Sequence, residues 1–121
     1  MIVGVDKRGA HIYTVIDGNV AYREETGYAA IGSGAQYANE QFMLTGHTKF
    51  KSFARTRTLV YLAKKRAEVN PFVGRETFMF IIDQSMDGIS RRLEQEEIDR
   101  ELEPVYQGYR DCERRLLESL G

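Results

Sequence analysis

The stretch Tyr28-Ala29-Ala30-Ile31-Gly32-Ser33-Gly34-Ala35-Gln36-Tyr37-Ala38 constrains the fold more than any other, because an apolar strand is expected to enter a Gly-Ser-Gly turn that leaves directly as a helix. A backbone turning this sharply needs residues that tolerate positive φ or close packing, and a glycine on each side of the serine meets that need. The Ser33 hydroxyl is then expected to cap the free N–H groups of the first helical turn. A turn of this kind can be an anion site, a catalytic support or simply a helix cap. A phosphate loop is not expected, since no lysine follows at the required position.

The flanking chain supplies the other elements. Ile2 to Val5 and Ala10 to Ile16 read as strands around an Asp6-Lys7-Arg8-Gly9 turn, and Asp17-Gly18-Asn19 turns into a third strand at Val20-Ala21-Tyr22. A second helix is predicted from about Ser52 to Val69, with Phe53, Leu59, Val60, Leu62 and Ala63 inward and Arg55, Arg57, Lys64, Lys65 and Arg66 toward water. Asn70-Pro71 ends it, because a residue before proline is pushed out of the helical region. Thr77 to Ile82 is an almost continuous apolar run, the mark of a strand covered on both faces. An acidic helix starts at Glu94. Pro104 and Gly108 are expected to break the pattern before a short amphipathic helix, Tyr109 to Leu120, with Cys112, Leu116 and Leu120 on one stripe.

Composition narrows the function classes. The 121 residues amount to one domain, able to bury about two-thirds of its unfolded surface. A formal net charge of −1 gives no global pull toward nucleic acid or anionic lipid. No apolar run is long enough to span a bilayer and no signal-type segment opens the chain, so no membrane association is expected. Cys112 is the single cysteine, which suits a reducing cytoplasm and excludes an internal disulfide. No metal or other cofactor is expected, because His11 and His47 lie far apart and outside any ligand-spaced cluster. His11 reads as a polar-side strand residue and His47 as a loop residue; Asp6 and Asp17 read as turn carboxylates, which leaves a paired-carboxylate hydrolase unsupported.

Taken in order, Gly4-Val5-Asp6, His11-Ile12-Tyr13, Asp17-Gly18, Ala30-Ile31-Gly32-Ser33-Gly34 with Tyr37-Ala38, the apolar Thr77–Ile82 run and Asp87-Gly88-Ile89-Ser90 resemble the second half of a proteasome subunit, particularly the β type, in the N-terminal-nucleophile hydrolase superfamily. The resemblance covers roughly Ile2 to Leu102 and rests on several short motifs in the correct order. It implies an α+β fold that is half of an αββα four-layer sandwich, an antiparallel sheet with two packed helices and a C-terminal helical tail. Residues 1–103 would be the proteasome-like half-domain and 104–121 a helical extension.

The resemblance also implies site residues. The nucleophile of that family is an N-terminal threonine whose own amine is the base, and residue 1 here is Met with Ile2 following in a strand. Ser33 matches the serine that supports the nucleophile's amine. A second support is an aspartate in an R-D-x-x-S-G-G stretch; Asn70 stands at the aspartate and Val73 at the serine, with only Gly74 retained. Asparagine cannot hold a negative charge against an ammonium, and valine has no hydroxyl. The expected function is therefore a subunit, or fragment of one, in a ring-forming protein-degradation complex. Its partners would be homo- or hetero-oligomeric ring subunits, with polypeptide substrates if a longer parent is active.

Half a sandwich leaves Val3, Val5, Ile12, Val15, Phe78, Phe80 and Ile82 facing solvent unless something covers them. A start at an internal methionine of a longer protein is the favoured explanation; a second chain or self-pairing would serve as well. Two alternative functions remain. One is a non-catalytic structural ring subunit, which Asn70 and Val73 favour. The other is a nucleic-acid-binding module using the basic 49–66 segment (Lys49, Lys51, Arg55, Arg57, Lys64, Lys65, Arg66), for which a solvated helix face is the simpler reading.

Overall fold

A computed structural model describes residues 1–83 and 90–121. Strands β1 (Ile2–Asp6), β2 (Gly9–Ile16) and β3 (Asn19–Tyr22) form an antiparallel three-stranded sheet in sequence order. Helices α1 (Ala35–Leu44) and α2 (Phe53–Ala67) follow. Strands β4 (Phe80–Ile82) and β5 (Ser90–Arg92) make a separate antiparallel pair, and the chain closes with the single turn α3 (Gln95–Glu97), a π-helical segment at Ile98–Leu102 and α4 (Glu103–Ser119). The fold is α+β with antiparallel sheet, as expected.

Register divides the first sheet into two faces. Val3 pairs with Ile12 and Val5 with Ala10, so these four share a face; Ile2 pairs with Tyr13, Tyr13 with Tyr22 and Val15 with Val20 on the other. Asp17 and Gly18 both take positive φ between β2 and β3, the backbone that suits a two-residue hairpin loop.

The core sits among the helices and the second strand pair. Tyr61, Met79, Leu93, Ile98 and Leu102 form one buried cluster, and Phe42, Leu59 and Ala63 form another beneath Tyr28 and Ala38. The first sheet contributes to neither. Its face bearing Val3, Val5, Ala10 and Ile12 lines, together with Phe42, Val60 and Phe80, an open apolar groove of about 510 Å³.

Several expectations are corrected. The apolar run before the Gly-Ser-Gly turn forms no ladder; Tyr28 instead stacks on Phe42 with ring centroids 4.6 Å apart. The strand at Thr77–Ile82 shortens to Phe80–Ile82, and it is covered on one side only, with Met79 buried and Phe78 and Phe80 exposed. On α2 the buried positions are Leu59, Tyr61, Ala63 and Ala67, whereas Phe53 is exposed. Pro104 and Gly108 do not interrupt the C-terminal helix. Proline lacks the N–H of a regular helical bond and crowds the carbonyl four residues back, and the wider π-helical turn before α4 places Pro104 in its first turn, where both defects are tolerated. Of the Asp87-Gly88-Ile89-Ser90 motif, Asp87, Gly88 and Ile89 lie outside the described residues.

Of the seven residues expected at the uncovered surface, Val3, Val15, Phe78 and Phe80 are exposed and Val5, Ile12 and Ile82 are half-buried.

Candidate functional site

Ser33 and Asn70, 37 residues apart, are brought together. Gly32 takes φ of +100°, turning the chain into α1, and the Ala35 N–H donates to the Gly32 carbonyl at 3.1 Å. The residue at the N-cap is Gly34, and no side chain caps the helix. Ser33 therefore does not cap, contrary to expectation: it stands one position too early for its hydroxyl to reach the first-turn N–H groups, and it is exposed. What holds it is its carbonyl, which accepts from Asn70 Nδ2 at 2.8 Å.

Asn70 also shapes its own loop. The end of α2 winds tightly, with the Asn70 N–H donating to the Ala67 carbonyl at 3.0 Å; Asn70 Oδ1 then accepts from the Phe72 N–H at 2.9 Å, and its carbonyl from the Val73 N–H at 3.0 Å. Lys64 Nζ donates to the Gly74 carbonyl at the far side of this loop. Val73 then presses on the Gly-Ser-Gly turn. A Cβ at Gly34 would lie 2.7 Å from Val73 Cγ2 and 2.8 Å from the Ala67 Cβ, so only glycine allows the two segments to touch.

Chemically this junction is a neutral support. Neither histidine is free to serve as a base for the Ser33 hydroxyl: His47 is buried against Phe42 and Tyr28, and both ring nitrogens of His11 are engaged by carboxylates. Among the described residues, no group of three or more His, Cys, Asp or Glu is placed to hold a metal ion, and no helix is long and apolar enough to cross a membrane. A cleft of about 730 Å³ between α1, α2 and α4 is lined by Lys65, Arg66, Arg75 and Arg110 but equally by Glu40, Glu68, Glu103 and Glu113, so it presents no single-sign field.

The basic 49–66 segment is largely absorbed by local partners. Arg57 pairs with Glu101 at 3.0 Å, Lys64 and Lys65 each with Glu68 at 3.4 Å, Arg66 Nε donates to Gln41 Oε1 at 2.8 Å and Arg55 to the Thr45 carbonyl at 3.0 Å.

Two polar arrangements escaped the sequence reading. Tyr61, on the buried side of α2, donates its hydroxyl to Glu103 at the start of α4; burial, then that bond, push the phenol well above its usual 10.0. Burial pushes the Glu103 carboxyl up, but the bonds from Tyr61 and Gln107, with attraction from Lys65, outweigh it and leave the group below its usual 4.5. The other is His11, whose Nε2 lies 2.8 Å from Asp6 Oδ1 and whose Nδ1 lies 2.7 Å from Glu24 Oε1. The signal for it was the hairpin register: continuing the Tyr13–Tyr22 pairing by two residues sets Glu24 opposite His11.

No protein family, curated protein or solved structure matches this chain.

Proposed function

We propose that these 121 residues are a proteasome-like half-domain that works as a part of a ring-forming protein-degradation complex, in an assembling rather than a peptide-cleaving role. The observation that carries this reading is the uncovered apolar surface: Val3, Val15, Phe78 and Phe80 exposed, and a groove of about 510 Å³ open between the first sheet and the helices. A soluble protein that leaves so much sheet bare has a partner for it. The junction of Ser33, Asn70 and Val73 supports the same reading from the chemical side, because a neutral amide bonded to a carbonyl neither balances the charge of an ammonium nor activates a hydroxyl. Homo- or hetero-oligomeric ring subunits are then the partners, polypeptides the substrates of the whole assembly, and the cytoplasm its location. A nucleic-acid-binding role is disfavoured by the pairing of Arg57, Lys64 and Lys65 with carboxylates.

Sedimentation velocity and native mass spectrometry of the purified protein test this. Expected is a closed oligomer, many times 13.9 kDa, that does not hydrolyse fluorogenic peptides by itself. A monodisperse, cooperatively unfolding monomer would sink the proposal, and peptide hydrolysis by the isolated chain would sink its non-catalytic part.

A further inference from the structure

We propose that Asp6, His11 and Glu24 form a proton-operated clasp that fastens the turn at residues 24–27 to the three-stranded sheet, closed while both imidazole nitrogens carry protons and opened when one proton leaves. The geometry carries the argument. A carboxylate only accepts hydrogen bonds, and a neutral imidazole has one donor and one acceptor nitrogen. With carboxylate oxygens 2.7 Å from Nδ1 and 2.8 Å from Nε2, both bonds exist only for the imidazolium. Loss of either proton turns one nitrogen's lone pair toward a carboxylate, so that the ring can donate to only one of the two anions. The arrangement is ill suited to catalysis or metal binding, since neither nitrogen is free for a substrate or an ion.

The clasp joins three places in the chain: Asp6 at the end of β1, His11 within β2, and Glu24 just past β3. The Arg8 N–H also donates to Asp6 Oδ1 at 2.7 Å, Tyr13 stacks beside the imidazole at 6.2 Å, and Tyr22 packs on Tyr13 at 5.1 Å. From α2, Arg57 and Lys64 line the same groove as His11, but Glu101 holds the first, and Glu68 with the Gly74 carbonyl hold the second. Asp6 and Glu24 are thus the charges bonded to the ring, with Arg8 acting on Asp6 from the hairpin turn. The fastened turn is otherwise closed by the Gly27 N–H bonding to the Arg23 carbonyl at 3.0 Å and by the Thr26 hydroxyl, 3.2 Å from the Arg23 and Tyr28 carbonyls, and it leads through Tyr28 to the Gly-Ser-Gly junction. Asp6, then Glu24, hold His11 above its usual 6.5, in agreement with the geometry. The clasp is independent of any role in a ring.

Nuclear magnetic resonance of the full chain tests it, following the His11 ring nitrogens and the amide exchange of residues 24–27 from about pH 5 to about pH 9. Expected is a His11 protonated on both nitrogens at neutral pH, with protection of the Gly27 amide, corrected for intrinsic exchange, falling as His11 titrates. Glu24→Gln should lower the His11 midpoint and flatten the pH dependence of protection. A His11 that titrates like an ordinary histidine in the unaltered chain overturns the proposal, and so does protection that stays constant while His11 titrates.

Discussion

The amide of Asn70 donates to the carbonyl of Ser33 at 2.8 Å, tying the exit of α2 to the entrance of α1. An aspartate at position 70 could still accept from the Phe72 N–H through one oxygen, but it would turn its other oxygen on the Ser33 carbonyl. Asn70→Asp is therefore expected to destabilise the protein by about 1–3 kcal/mol, the cost of leaving a polar group facing the wrong partner. Urea unfolding at neutral pH measures this. An equally or more stable variant would show that position 70 serves as an acid and not as a brace.

Gly34 faces a different constraint, that of volume. An added methyl there would meet Val73 Cγ2 at 2.7 Å, the Ala67 Cβ at 2.8 Å and the Ala67 carbonyl oxygen at 3.1 Å. Gly34→Ala should cost about 1–3 kcal/mol through overpacking. Combining it with Val73→Ala should recover part of that loss, a coupling read from a double-mutant cycle in thermal unfolding. Full additivity would mean that the two segments do not press on one another.

How much of this could be read from the sequence depended on whether the deciding partner was local. The Asp17-Gly18 turn and the start of α2 near Ser52, where the Ser52 hydroxyl accepts from the Arg55 N–H at 3.2 Å, are decided within a few residues. A strand is decided by what lies beside it. Tyr28–Ile31 has the composition of a strand, yet it joins no ladder and Tyr28 stacks on Phe42. Ser33 and Asn70 were picked out together by resemblance, but their bond runs through a main-chain carbonyl that no side-chain pattern announces. The His11 clasp was hidden because its carboxylates lie 5 and 13 residues away and meet only once the register is known.

The C-terminal helix is held through the π-helical segment before it, where Ile98 and Leu102 are the most deeply buried large side chains among the described residues. Leu102→Ala should cost about 2–5 kcal/mol, from lost burial and the cavity left beside Tyr61 and Met79. Tyr61→Phe removes the hydroxyl from Glu103 and should cost about 1.5–3 kcal/mol, the range for a bond to a charged acceptor. The same change should also abolish the latest step in a spectrophotometric tyrosine titration, because burial and the Glu103 bond delay that phenol. If the late step persisted in the variant, it would belong to another tyrosine and the Tyr61 pairing would be wrong.

Stability should rise and then fall with pH, for two separate reasons. Bonding to Arg91 Nη1 at 2.9 Å holds the Glu97 carboxyl below its usual 4.5, and bonding to His11 holds Asp6 below 3.8. A group with a depressed folded value contributes stability above its unfolded value and loses it as pH falls through the folded one, so both contributions disappear on acidification below about pH 4. His11 has the opposite sign. Its folded value is raised, so its contribution is complete below 6.5 and is lost as pH climbs through the folded value. Urea midpoints measured across this range should peak on the acid side of neutrality. His11→Gln should keep the acid limb that Glu97 supplies while abolishing the decline on the alkaline side, and Arg91→Leu should weaken the acid limb alone. An alkaline decline that survives in His11→Gln would assign it to some other group and remove the clasp from the stability of the fold.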